Sequence, residues 1–240
     1  MVEDSRELYE SRVKPGLVKK IVSSSSFLLN HSYDIACHDN HALDELKQKG
    51  FVMLPKHHRK LDIILTGIFL QETIRRYGHY IMKQSLPRFL EYVGGMPIYR
   101  EKEMKKMMKK LTKKFGESEA RRIMVPYAKQ NNDALESNLV DLLVQDHIVV
   151  LYPEAARNDI PEFEVRIPVM KNLLRLNEKY YSRTGKQIPF VPLSIEYSHY
   201  GRFRSEILLN VAEPMLAENQ TPKQFGELLK QRIDSARRLV

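Results

Sequence analysis

A single cysteine, Cys37, in a chain of 240 residues leaves no partner for an internal disulfide and too few thiolates for a cysteine zinc cluster. That usage fits a reducing compartment, so a cytoplasmic location is expected, and Cys37 itself reads as a small core residue. Long apolar runs are equally scarce. The longest, such as Leu61 to Leu70, reach about half of the roughly 18–20 residues that span a bilayer, and this one carries Asp62. No transmembrane segment is expected. The first residues, Met1 to Glu7, mix charges without an apolar centre, which argues against a secretory signal. No Gly/Ser/Pro-rich linker, internal repeat or low-complexity tract divides the chain, so one domain is expected. A Gly-x-Ser-x-Gly nucleophile elbow and a His-Glu-x-x-His metal motif are both absent from the sequence.

What is present is a core and an excess of positive charge. Hydrophobic residues make up 42% and charged residues 29% of the chain, enough apolar side chains for a real interior under a water-compatible surface. A mean hydropathy of −0.43 agrees. The net charge of +9 points to an anionic partner: nucleic acid, an acidic membrane surface or a phosphorylated substrate. Much of it gathers between Lys102 and Phe115, where helical spacing puts Lys102, Lys105, Lys106, Lys109, Lys110, Lys113 and Lys114 on one side and Met104, Met107, Met108, Leu111 and Phe115 on the other. Such a helix either lies on an anionic bilayer with its apolar face in the acyl boundary, or packs that face on its own domain and leaves the lysines solvated.

Apolar periodicity gives the fold class. Residues 4 to 24 read as a basic helical lead-in broken at Ser23 to Ser26, and a strand is expected between Ser26 and Cys37. Strands are expected at Phe51 to Leu54, His79 to Met82, Met96 to Tyr99, His147 to Tyr152, Ile188 to Tyr197 and Ser205 to Val211. Helices are expected at Ile63 to Tyr77, with Ile64 and Ile68 inward, at 126 to 144, and after the capping box Thr221-Pro222-Lys223-Gln224. This alternation predicts an α/β single domain with a central, mostly parallel sheet flanked by helices. The expected organisation is a lead-in over 1–44, a catalytic domain over 45–215 with a basic helical insertion at about 101–125, and a C-terminal amphipathic helix over 216–240.

Four short segments carry chemistry, each beside an apolar run, and in two of them the polar residues, His57 and Glu154, lie just past an expected strand. They are Pro55-Lys56-His57-His58-Arg59-Lys60-Leu61-Asp62, Gly94-Gly95-Met96-Pro97-Ile98-Tyr99-Arg100, Leu151-Tyr152-Pro153-Glu154-Ala155-Ala156-Arg157-Asn158 and Ile188-Pro189-Phe190-Val191-Pro192-Leu193. In this order they resemble the motifs of the glycerophosphate acyltransferase family, whose members acylate glycerol 3-phosphate or its lyso derivatives. The resemblance spans about residues 45 to 215.

Acyl transfer from a thioester to an alcohol needs a base near the hydroxyl, and histidine suits neutral pH. A carboxylate that accepts the other ring N–H fixes the tautomer and stabilises the imidazolium. Asp62 lies five residues after His57 and four after His58; both histidines fit by chemistry, and the family's spacing selects His57. His57, His58 and Asp62 are also types that ligate metals, but the resemblance implies neither metal nor cofactor, only acyl-CoA or acyl carrier protein as the donor substrate. It further implies Arg100 and Arg157 as phosphate contacts, for which a planar guanidinium fork is suited, with Glu154 beside Arg157 and Lys83 facing the same pocket. Ala155 and Ala156 stand where the family has glycine and threonine, which bears on the acceptor more than on the reaction class. Without an activated serine or cysteine, the hydroxyl attacks the thioester directly in a ternary complex, with loop amides as oxyanion donors.

The reading is therefore an O-acyltransferase acting on glycerol 3-phosphate, lysophosphatidate or a related lysophospholipid, peripherally bound to an anionic membrane. The competing reading is a non-catalytic basic module for anionic membrane or nucleic acid. The lysine run holds only one aromatic residue, Phe115, whereas single-strand binders present several stacking platforms, so nucleic acid is not the expected partner.

Overall fold

The computed structural model describes residues 13–38, 41–56, 59–83, 86–98, 101–154, 163–199 and 204–237. Its centre is β2, Phe51–Pro55, in which all five residues are buried. A strand this apolar tolerates no exposed face, and it lies between β5, Ile148–Val150, and β6, Phe190–Tyr197, parallel to both. Around these, β3, Gly78–Lys83, pairs with β5 and with the edge strand β4, Gly95–Ile98. On the other flank β7, Ser205–Val211, runs antiparallel to β6 and parallel to the edge strand β1, Tyr33–His38. The seven-stranded order is β1-β7-β6-β2-β5-β3-β4. The expected α/β sheet is thus present, with one antiparallel junction.

Alternation along β2 feeds two cores. Val52 and Leu54 join Leu135, Leu139 and Leu143 of α4 (Glu117–Val144), Met170 and Leu173 of α5 (Ile167–Thr184), and Phe225, Leu229 and Ile233 of α6 (Pro222–Arg237). Phe51 and Met53 face the opposite layer, where Leu65, Phe69 and Leu70 of α2 (Asp62–Thr73) close the core, with α1 (Pro15–Ser32) packed on α2. Each such side chain contributes roughly 1.5–3 kcal/mol when fully buried. The capping box of α6 forms as expected: Gln224 Oε1 accepts from Thr221 N–H at 2.9 Å and Thr221 Oγ1 accepts from Gln224 N–H at 3.3 Å.

Three expectations need correction. Ser23 to Ser26 do not break the lead-in; α1 runs through them, and Ser26 donates to Glu72 of α2 at 2.6 Å, so a polar partner offsets their low helix propensity. Ile64 is 42% exposed, because the inward stripe of α2 passes through Leu65, Ile68 and Phe69. Cys37 is exposed on an edge strand.

The basic segment forms α3, Glu101–Phe115, which turns at Gly116 into α4. Met104, Met107, Met108 and Leu111 pack around Met124 of α4, and Lys105, Lys106, Lys109, Lys110, Lys113 and Lys114 are exposed. The methionine and Leu111 part of the apolar face of α3 is therefore packed on its own hairpin partner, while Phe115 is 48% exposed. Pro126 lies inside α4, where it lacks the N–H that would bond the preceding turn. At 28 residues α4 is about 42 Å long, while a strand of about five residues covers about 17 Å. Since α3 starts after the carboxyl end of β4 and α4 ends before the amino end of β5, the hairpin overhangs the carboxyl edge of the sheet.

At the opposite edge, His79 of β3 is 5% exposed, its ring 5.1 Å from that of His147 and 5.6 Å from that of Tyr77. Burial, and secondarily the charge of His147, depress its pKa from 6.5 to about 4. A base with a lowered folded-state pKa gives the unfolded chain the greater proton uptake between those values, so stability falls as pH drops below about 6.5 and levels off below about 4. Urea unfolding at a series of pH values is expected to lose about 3 kcal/mol across this window in the wild type, and to lose much less of it in His79→Leu.

Candidate active site

Because β2, β3, β4, β5 and β6 are mutually parallel, their carboxyl ends share one edge, and the loops beyond them converge there. This is where open α/β sheets hold ligands. Of the residues singled out in the sequence, Asp62 and Glu154 stand at this edge with no exposed surface, and Lys83 ends β3 there. His57, His58, Arg100, Ala155, Ala156 and Arg157 lie outside the described residues, as does the side chain of Lys83. The glycines of the second motif serve the turn into β4. Gly94 has φ +93°, and a Cβ there would sit 2.6 Å from the Gly78 carbonyl oxygen, while one on Gly95 would sit 2.8 Å from the Leu90 carbonyl oxygen.

Asp62 opens α2 directly beyond the histidine pair, at the end where the helix dipole favours an anion. Its Oδ2 accepts the Arg59 backbone N–H at 2.7 Å, which ties the carboxylate to the residue that follows the histidine pair in sequence. Its Oδ1 accepts the Tyr197 hydroxyl at 2.5 Å, reaching across from the end of β6. The Asp62 carbonyl accepts Thr66 Oγ1–H at 2.7 Å, and Tyr152, beyond β5, donates to Thr66 Oγ1 at 3.4 Å. The phenol of Tyr152 is held neutral, its pKa raised well above the usual value chiefly by burial, with the neighbouring Tyr80 and Asp62 adding to the shift.

Beneath the loop lies a buried cation. Lys56 extends β2 by donating its N–H to Leu193 O at 2.9 Å and is only 1% exposed. Its ammonium is 3.8 Å from Glu196 Oε1, which also accepts Arg237 Nε–H at 2.8 Å and Ser194 Oγ–H at 2.8 Å. Burial lowers the Lys56 pKa most; Glu196 opposes this, Arg237 adds to it, and Glu154 and Asp234 oppose it again. The last turn of α6 is thereby linked through Arg237 and Glu196 to the residue next to the histidines.

Lys56, Thr66, Tyr152, Glu196, Tyr197 and Arg237 were not singled out from the sequence. For Lys56, Tyr152, Glu196 and Tyr197 a signal exists: each is a polar residue just after an apolar run, at a strand end on the edge already marked by motifs. Arg237 carries no such mark.

A buried lysine whose partners include a fully buried carboxylate behaves unlike a surface ion pair. Lys56→Ala is expected to cost about 3 kcal/mol by taking the nearby ammonium from the fully buried Glu154 carboxylate, while Glu196 keeps Arg237 and Ser194. Arg121→Ala, which removes the exposed pair with Glu117 at 2.8 Å, is expected to cost under about 1 kcal/mol. Chemical denaturation of both variants checks the contrast.

Comparison with known proteins bears on the family and the fold. The family model described as Acyltransferase matches residues 34–196, which takes in β1 through β6 and all four motifs. No curated protein matches the sequence. Among solved structures, the 1-acyl-sn-glycerophosphate (LPA) acyltransferase PlsC from Thermotoga maritima is similar in fold, with a TM-score of 0.51 at 14% identity, covering 94% of this chain and 79% of that one. No helix among the described residues is long and apolar enough to cross a membrane. Since the matched region makes up more than half of its length, the chain belongs to the acyltransferase family and is an acyltransferase enzyme.

Proposed function

We propose that this enzyme transfers a fatty acyl group from acyl-CoA or acyl carrier protein to the free hydroxyl of a phosphorylated glycerol acceptor, glycerol 3-phosphate or lysophosphatidate, and so serves phospholipid biosynthesis. The observation that carries the reading is the buried Asp62 carboxylate, fixed by Arg59 N–H and the Tyr197 hydroxyl at the exit of β2, five residues after His57. A carboxylate so held is suited to orient an imidazole and to stabilise its protonated form. The similar solved structure is named as an acyltransferase for a lysophospholipid acceptor, which supports the choice of acceptor.

In this mechanism His57 takes the acceptor's hydroxyl proton as its oxygen attacks the thioester carbonyl carbon. The tetrahedral intermediate collapses with cleavage of the carbon–sulfur bond, and the thiolate leaves with the proton that His57 returns. Backbone amides of the loops at the carboxyl edge are the oxyanion donors. Arg100 and Arg157 hold the acceptor phosphate, with Glu154 and Lys83 completing that part of the pocket. The reaction needs no cofactor beyond the donor thioester.

The exposed lysine face of α3 supports contact with an anionic bilayer, where lysophosphatidate resides. Since the methionine face is packed on α4, this contact is electrostatic, lysines against phosphates, and not insertion of the helix into the acyl region.

The primary test is acyl transfer from palmitoyl-CoA and palmitoyl carrier protein to glycerol 3-phosphate, lysophosphatidate and neutral lysolipids. Transfer to a phosphorylated acceptor is expected, with a loss of about 10²- to 10⁴-fold in His57→Ala and little loss in His58→Ala. Equal activity of His57→Ala, or transfer to neutral acceptors alone, overturns the assignment. Cosedimentation with phosphatidylglycerol vesicles is expected to weaken with salt, and by about a hundredfold or more when Lys106, Lys109, Lys110 and Lys113 are changed to Glu.

A further inference from the structure

The carboxyl edge contains a polar contact that the four motifs do not include. Tyr197 closes β6, beyond the fourth motif, and its ring belongs to the core layer under α2. From there its hydroxyl crosses to Asp62 Oδ1 at 2.5 Å, the shorter of the two hydrogen bonds that the carboxylate accepts from Tyr197 and Arg59. The strands are arranged for this. β2 delivers the histidine turn and Asp62, and its two sheet neighbours each send one tyrosine toward the first turn of α2: Tyr197 from β6, and Tyr152 from β5 by way of Thr66. Among the described residues these two phenols reach toward Asp62 from the neighbouring strands, and Tyr197 donates directly to its carboxylate.

We infer that Tyr197 is a positioning residue of the acyl-transfer reaction, whose hydroxyl fixes the orientation of the Asp62 carboxylate and draws off part of its charge, thereby setting the basicity of the histidine that Asp62 orients. The inference rests on the His57–Asp62 reading of the mechanism. A carboxylate oxygen has room for a second donor, so a Tyr197 bond to Oδ1 leaves Asp62 able to accept an imidazole N–H while restraining rotation of the carboxyl plane. A donated hydrogen bond also makes the carboxylate a weaker acceptor and a weaker stabiliser of imidazolium. Tyr197 therefore keeps the base neutral to lower pH than Asp62 alone would allow, at some cost in its driving force for proton uptake.

The test is Tyr197→Phe, which keeps the ring and removes only the hydroxyl. Two readouts are needed. In the acyl-transfer assay kcat is expected to fall about tenfold with acceptor KM within about twofold, and the acid limb of the kcat/KM profile is expected to move up by about half a pH unit. In the NMR titration of carbon-labelled histidine, which needs no turnover, the His57 resonance is expected to show the same upward move. Difluorotyrosine at position 197, a stronger donor of the same shape, is expected to move it down; this second variant decides the matter should Tyr197→Phe fold poorly. In an Asp62→Asn background, Tyr197→Phe is expected to add no further shift. An unchanged His57 titration in both Tyr197 variants overturns the inference. Absence of acyl transfer by the wild type overturns the functional reading instead, and leaves the titration to decide the role of Tyr197.

Discussion

A parallel strand buried on both faces has one place to put polar chemistry, its carboxyl end, and β2 obeys that constraint. Phe51 to Leu54 are fully buried, so neither face of the strand takes a charged group without a large desolvation cost. The polar residues come all at once after Pro55: Lys56, the histidine pair and Asp62. Lys56 and Asp62 are still buried, which obliges the neighbouring elements to supply partners. Glu196 and Glu154 answer the ammonium, and Arg59 N–H and Tyr197 answer the carboxylate. The site is in this sense the electrostatic completion of the central strand.

That completion joins segments far apart in the chain. Tyr197 reaches Asp62 across 135 positions of sequence, and Arg237 reaches Glu196 from the last turn of α6. Strand pairing keeps the ordering cost of these contacts low, since the register Pro55↔Leu193 already fixes the end of β6 beside the end of β2. Lys56 and Asp62 are buried charges of this cluster, so loss of a charge partner costs more here than at a surface pair, and the cluster ties the carboxyl end of β2 to the integrity of the fold. The two edges of the sheet differ by the same logic. His79, at the other edge among Tyr77 and His147, is held neutral by burial, while the carboxylates Asp62 and Glu154 stand at the carboxyl edge.

How much of this the sequence discloses depends on whether a property is local. Strands β2 and β5 were legible because burial on both faces demands uninterrupted apolar runs, β6 and β7 because their apolar residues dominate short segments, and α6 because its capping box and its stripe of Phe225, Leu229 and Ile233 are short-range patterns. Asp62 and Glu154 were legible through motifs at strand ends. Tyr197 and Arg237 were not, since a tyrosine ending a strand and an arginine ending a helix look the same with or without a distant partner. Ser23 to Ser26 misled for the converse reason: their propensity is local, but the helix they join is stabilised by packing on α2 and by the contact of Ser26 with Glu72.

The α3–α4 hairpin shows how a fold of this kind acquires a surface property without disturbing its core. Between Glu101 and Phe115 there are seven lysines and two glutamates, a net +5 of the chain's +9. A helix so charged would be marginal alone, and its methionines and Leu111 have no place on the sheet, which the second half of α4 already covers. Folding back on the first half of α4 buries those side chains around Met124 and leaves the lysines from Lys105 to Lys114 facing outward. Pro126 divides the long helix near the boundary between these two roles, sheet cover on one side and hairpin support on the other. Because the hairpin springs from the end of β4 and rises past the carboxyl edge, its charge is placed beside that edge. Electrostatic attraction of this kind acts on encounter and orientation, over about 8–10 Å at physiological salt, and leaves the buried chemistry of Asp62 untouched.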